Sequence, residues 1–507
     1  MSFLPHSLVA FLGLPVALLS TVSTASAGPL PQPQRGEILD RNGVTLATSS
    51  PPAGTTLATA FQVRYYPLGI LAGHTLGYAK PVPAKDRDEG EDNDNSRAIR
   101  GIQGTEKAYD SDLSGTLSPD GKSTIHGNDI YLTLDSLYQA VVEQSLQKAA
   151  IKRGAAILMD PNNGDILAMT SLPPINPNDF TQEITQERLN TYLKNPAKPL
   201  INRAIYDRNP GSTFMLVTAL AGALSGQESA SYRCDGRLEV AGKTFSCWIT
   251  AKDSTHGNQT VDQALTHGCG LYFYGLAQSM GYQQIVRTSE LLGLQGKAGT
   301  GLPDEGSGFI PATDAQGSQL LHEKYPHVKK LTPPALASIS VGHGLATVTP
   351  LQMTMVAGTI ANGGTVWKPR LLDRVQTPNS KELRKAPQTI LNDLRQHGLS
   401  ESGLDRIRKG MRDRSLKILD SHPESTGNSE SQIFGVNGTV QIWAENLESR
   451  EMEAQRDAWF VGYVLVDDKP KWALTVMVQG SKREGPTAIP IAQQIIHELQ
   501  QLSKASK

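Results

Sequence analysis

The first apolar run of the chain, Leu8 to Val22 (LVAFLGLPVALLSTV), is uninterrupted but falls short of the ~20 residues that span a bilayer comfortably. The small residues Ala25-Ser26-Ala27 follow it, then Gly28, so residues 1–27 read as an export signal or membrane anchor. No Lys or Arg precedes the run, and Pro15 argues against a buried helix there. Beyond it, Gly28 to Gln34 (GPLPQPQ) reads as an extended spacer. Lys85 to Asn95 (KDRDEGEDNDN) is too charged to pack and reads as a solvated loop. Between Arg35 and Asp120 apolar stretches are short and broken by Gly and Pro, which suggests a small strand-rich region.

From Asn128 the pattern changes. Ile130 to Leu134 predicts a strand, and Asp135 can cap a helix running to about Ala150. Ala155–Met159 and Ile166–Met169, joined by a Gly-containing turn, predict a hairpin. Helical periodicity covers Phe214–Leu224, Val261–Gln278 and Pro350–Ala361. Trp459–Val466 and Trp472–Gln479 predict a second hairpin, and Ile491, Ile495 and Leu499 share one face of a terminal helix. Hairpins separated by a block of helices imply an α+β plan with an antiparallel sheet.

Composition narrows the function. The 507 residues allow about two to four domains. A net charge of −1 argues against nucleic-acid binding through phosphate contacts. Three cysteines exclude both a disulfide-framework miniprotein and a four-thiolate zinc site.

The motifs are more specific. Arg35 to Gly43 (RGEILDRNG) with Leu46-Ala47, then Tyr66-Pro67-Leu68-Gly69, His74, Gly77-Tyr78 and Gly101 to Tyr109 (GIQGTEKAY), occur in that order. This succession resembles the pedestal domain of class B penicillin-binding proteins, the peptidoglycan transpeptidases of bacterial elongation and division. Leu132-Thr133-Leu134-Asp135, Asn202-Arg203-Ala204, Pro210 to Phe214 (PGSTF), His256-Gly257, Thr349 to Gln352, Ala361 to Gly364 and Trp459 to Tyr463 are similar to signatures of the family's transpeptidase domain. The resemblance implies a pedestal or dimerisation-like domain over 28–127 and a transpeptidase-like domain of the penicillin-binding/serine β-lactamase type over 128–507. It also implies an exported chain at the outer face of the cytoplasmic membrane or in the periplasm. Its expected partners are cell-wall synthesis proteins, among them a membrane glycan polymerase, with peptidoglycan as a possible ligand. Arg35, Asp40 and Arg41 are the pedestal residues expected to meet such a partner; the alternative is that the two arginines pair with local carboxylates and hold the pedestal together.

In that family three motifs, S-x-x-K, S-x-N and K-T-G, carry acyl transfer through a serine. The Lys one helical turn after the Ser accepts its proton, and the K-T-G strand grips the substrate carboxylate. Here all three are degraded. Ser212 remains, but Met215 occupies the lysine position. Gly268-Cys269-Gly270 stands for S-x-N, and Val436-Asn437-Gly438-Thr439 for K-T-G-T. A thioether is no base, and glycine has no side chain with which to relay a proton. Loss of one member of a Ser–base unit costs on the order of 10⁴–10⁶ in rate. The implied protein is a catalytically inactive homologue that binds or scaffolds in wall synthesis. The competing reading is an active serine transpeptidase or hydrolase using His267 or His343 as base. Ser145-Leu146-Gln147-Lys148 also fits S-x-x-K but lies outside the active-site context.

In its present state Ser212 reads as a helix N-cap after Pro210-Gly211, and Met215 as a filler where a lysine stem would run. In an oxidising compartment Cys234 and Cys247 are disulfide candidates, leaving Cys269 a lone buried thiol. No phosphate loop, nucleotide fingerprint or metal-ligand spacing is evident, so neither cofactor nor metal is expected.

Overall fold

The computed structural model describes residues 34–50, 64–81, 99–117, 124–182, 184–378, 383–421, 431–447, 449–481 and 487–505. The leader reading for residues 1–27, all but Gln34 of the Pro-rich spacer, and the charged stretch 85–95 lie outside these described residues.

Strands β1 (Ile38–Leu39) and β2 (Thr45–Ala47) flank a turn organised by Asp40. Its Oδ1 accepts the amides of Asn42 and Val44, both at 2.8 Å, while Oδ2 accepts the amide of Ser136 at 3.0 Å. Helix α1 (Gly104–Ala108) brings Glu106 between two arginines. Arg35 Nε lies 2.7 Å and Arg64 Nε 2.6 Å from its carboxylate, and Tyr66 Oη donates to it at 3.1 Å. Arg35 also reaches Asp110 at 2.6 Å. Arg35, Arg64 and Glu106 are all buried. This corrects the expectation that Arg35 and Asp40 face a partner: both are buried, Arg35 answering Glu106 and Asp110, and Asp40 tying its own turn to the Ser136 amide. Arg41 is partly exposed and lies 3.9 Å from Asp165.

Strand β3 (Asp129–Leu132) pairs in parallel with β1, Ile38 opposite Ile130. Helix α2 (Ser136–Lys148) starts at Asp135, whose Oδ1 accepts the amides of Leu137 and Tyr138, so the predicted cap forms. Ser145 and Lys148 are spent here: Ser145 Oγ bonds the Val141 carbonyl, and Lys148 Nζ pairs with Glu498. Strands β4 (Gly154–Met159) and β5 (Ile166–Leu172) form the first hairpin. After them come α3 (Met215–Leu224), β6 (Tyr232–Cys234), β7 (Gly257–Gln259), α4 (Val261–His267) and α5 (Gly270–Met280). The sequence pattern predicted one helix across α4 and α5. Gly268 divides it by taking φ +63°, a left-handed value that terminates α4. Helix α6 (Pro350–Ala361) opens on a capping box between Thr349 and Gln352 and is buried throughout.

Strands β8 (Leu372–Gln376) and β9 (Leu383–Lys385) return to the pedestal and complete a sheet of order β9-β8-β3-β1-β2. Helix α7 (Glu401–Ser421) leads to β10 (Ser431–Glu445), β11 (Met452–Val466), β12 (Lys469–Ser481) and α8 (Ala488–Ala505). The central antiparallel sheet runs β10-β11-β12-β4-β5. Its strands read as continuous apolar runs because helices cover both faces. Along β4, Ala155, Ile157 and Met159 join the core that holds α3 and α6, while Ala156 and Leu158 join the one under α2 and α8. Ile491, Ile495 and Leu499 of α8 fill that second core. The α+β architecture is as expected, and it sets the edge strand β10 against helix α7 and the turn that holds Ser212.

Candidate functional site

The three degenerate motifs converge. Ser212 lies within a short 3₁₀ turn, Gly211–Phe214, that runs into α3, with no side-chain cap at its start. Its predicted N-cap role is therefore wrong: Pro210 holds the cap position, and Ser212 already sits inside the turn. A Cβ placed on Gly438 of β10 would stand 2.9 Å from the Ser212 amide nitrogen and 2.8 Å from that of Thr213. Glycine is thus required for the strand to close on the turn. A Cβ on Gly270 would stand 3.9 Å from Met215 Cε. Met215 is 4% exposed, and its Cε faces Gly270. Val436 is equally buried, whereas Ser212, Gly268, Asn437 and Thr439 are partly exposed and line the opening.

Among the described residues no hydrogen bond joins the Ser212 hydroxyl to His267 or His343. His267 Nδ1 bonds Gln259 Oε1 at 2.7 Å, and burial, with Lys417 and His256 nearby, lowers its pKa. Burial lowers His343 likewise. Missed by the sequence reading was Arg414 of α7, whose Nε and Nη2 donate to Asn437 Oδ1 at 2.9 and 2.7 Å.

Behind Gly268 lies a second group. Cys234 ends β6, Cys247 precedes a 3₁₀ turn, His256 precedes β7, and Cys269 joins α4 to α5. One donor atom from each lies within 4.8 Å of all the others, and the three cysteines are free and buried. The Cys234–Cys247 disulfide and the solitary Cys269 of the sequence reading are not what the structure holds. His256 Nδ1 is 3.6 Å from Cys234 Sγ and 3.4 Å from Cys247 Sγ. A tetrahedron with Zn–S about 2.3 Å and Zn–N about 2.0 Å has edges of roughly 3.5–3.8 Å, close to the two His256–sulfur separations. A hydrogen bond from Cys269 holds the Cys247 thiol well below its ordinary range, and the same bond with burial raises Cys269. Three sulfurs and an imidazole form a soft donor set suited to a structural Zn²⁺, a grouping that the sequence reading did not bring together.

Residues 154–497 match the penicillin binding protein transpeptidase domain and 56–130 the penicillin-binding protein dimerisation domain. Peptidoglycan D,D-transpeptidase MrdA of Acinetobacter baumannii is 30% identical over 456 residues, covering 84% of this chain and 64% of that protein. Stage V sporulation protein D of Bacillus subtilis is 26% identical, covering 91% and 65%. The chain thus spans about two-thirds of the length of these relatives. Among solved structures, Pseudomonas aeruginosa PBP2 in complex with WCK 5153 superposes with TM-score 0.74 at 25% identity, covering 92% of this chain and 95% of that one. Helicobacter pylori PBP2, in complex with MreC, gives 0.73 at 22%, covering 93% and 98%, a likeness of fold. With the family model matching more than half its length, the chain belongs to the penicillin-binding protein transpeptidase family.

Proposed function

We propose that this protein is a non-catalytic penicillin-binding protein that binds or scaffolds in peptidoglycan synthesis. The observation that carries the reading is the pairing of Met215 with Gly270. Where the reaction needs a proton acceptor beside Ser212 and a polar relay opposite it, the cleft has a thioether methyl and a bare backbone. Removal of the base from such a unit costs on the order of 10⁴–10⁶ in rate, and the losses at 268 and 436 fall on the same unit. The surrounding scaffold is complete, which fits a protein kept for its shape. By likeness to its relatives it works outside the cytoplasmic membrane with other wall-synthesis proteins; the H. pylori PBP2 structure, which contains MreC, exemplifies such an assembly.

The test is labelling with a fluorescent penicillin beside an active relative. No covalent adduct is expected on the relative's timescale. Stoichiometric labelling that disappears in Ser212→Ala would establish the competing reading, an active acyltransferase.

A further inference from the structure

A guanidinium withdrawn from water ordinarily meets a carboxylate. Arg414 does not. Among the described residues it joins no ion pair. Its partners are neutral: the amide oxygen of Asn437 and, from Nη1 at 3.2 Å, the carbonyl of Thr266. Burial lowers its pKa with no acid opposing the effect.

The unspent valence has a direction. Arginine carries five N–H donors. Asn437 takes one from Nε and one from Nη2, and Thr266 takes one from Nη1. One N–H on each terminal nitrogen remains, the pair that grips a carboxylate with two parallel bonds. The fork stands in the cleft. A Cβ at Gly268 would be 4.0 Å from Nη2, which sets the guanidinium beside that glycine. Asn437 precedes Gly438, which abuts the Ser212 turn. Lys417, one helical turn beyond Arg414 and exposed, adds a second positive charge felt at His267. The Trp248 indole, 48% exposed, borders the same link and donates to the His267 carbonyl at 2.9 Å.

We propose that Arg414 is the anion-binding residue of this cleft and receives the terminal carboxylate of a peptide, taking over from helix α7 the charge that Val436 does not supply. The assignment rests on the non-catalytic reading and deepens it: the cleft recognises a peptide end without cutting it.

Calorimetric titration of the full chain carrying Ser212→Ala tests this with three probes: diacetyl-L-lysyl-D-alanyl-D-alanine, its C-terminal amide, and acetate. The acid is expected to bind, the amide at least tenfold more weakly, and acetate far more weakly than either. Adding Arg414→Gln should cost the acid at least tenfold and leave the amide unchanged. Arg414→Lys should keep part of the affinity, and it carries the test if the Gln variant does not fold. Equal binding of acid and amide, acid binding indifferent to both Arg414 variants, acetate as tight as the peptide, or no binding of the acid would each overturn the proposal. Because Ser212 is absent from this assay, penicillin labelling of the natural chain decides the non-catalytic reading separately.

Discussion

The rings of His256 and His267 lie face to face, 5.2 Å between centroids and 2° from parallel. One ring belongs to the thiol cluster and the other rims the cleft. Cys269 makes a second link, since it sits between the two glycines that stand for the S-x-N side chains. The cluster is therefore a wall of the cleft, and whatever fills it fixes the Gly268–Gly270 segment.

Metal content follows from that arrangement. Protein purified under reducing conditions without chelator is expected to carry about one Zn²⁺ per chain, measured by elemental analysis. Cys269→Ser should lower the content severalfold, and Tm should fall on chelation because structural metal binding contributes directly to folding. Metal should be released as pH falls and the thiolates protonate. A Cys234–Cys247 disulfide in the non-reduced protein, without metal, would refute the assignment.

On the non-catalytic reading, a lysine at position 215 alone is not expected to confer acylation. Met215→Lys places an ammonium at a buried site that faces Gly270, which offers no partner. A loss of roughly 2–4 kcal/mol in denaturant unfolding is expected, and penicillin labelling should stay absent. Ser212→Ala removes no cap and should alter stability by less than about 0.5 kcal/mol.

The pedestal depends on Glu106. Burial alone would raise its pKa, but Arg64 and Arg35 outweigh this and hold it below the ordinary 4.5. Its stabilising share is thus present above the unfolded value and lost as pH falls through the lower folded one. Glu106→Gln leaves the buried Arg64 without its anion and Arg35 with Asp110 alone, at a cost of about 3–5 kcal/mol. Equilibrium unfolding of the variant, with the pedestal followed by hydrogen exchange, checks this.

Glu143 behaves oppositely. Burial pushes its carboxyl up to about 7, despite hydrogen bonds from Gln139 and the Ala72 amide. Between the ordinary value near 4.5 and about 7, the folded state keeps a proton that the unfolded chain has released. Stability therefore declines as pH rises through this window. Glu143→Gln should flatten the decline and be more stable than the natural chain at pH 8 by roughly 1–3 kcal/mol, with little difference at pH 4. An unchanged pH profile of Tm would reject this.

Much of the scaffold was legible. Helix α6 has the predicted bounds, and both hairpins and the Asp135 cap form where turn and capping residues indicate. Helix α7 was missed because charge conceals its stripe. Leu404, Ile407, Met411, Ser415 and Ile418 are buried at helical spacing, with arginines and acids between them. Arg414 was missed with it. The thiol cluster escaped because twelve, eight and twelve residues separate its donors, each held by a different local element. Short ligand spacings are visible in sequence, whereas this set exists only after folding. The positions of the degenerate motifs were readable, since strand and helix bring them together through the scaffold.

The sheet completed by β8 and β9 makes the passage at residues 127 and 128 a weld. Ile130 lies opposite the pedestal's Ile38 in a parallel pairing on one side, its amide donating to the Glu37 carbonyl at 2.9 Å, and opposite Val375 in an antiparallel pairing on the other. Rotation of the pedestal as a rigid arm about this point would tear ladder bonds on β3, so a push delivered there by a partner travels as displacement of strands. A fragment cut before residue 128 would carry β3 as a bare apolar edge, a template for sticking to its own copies.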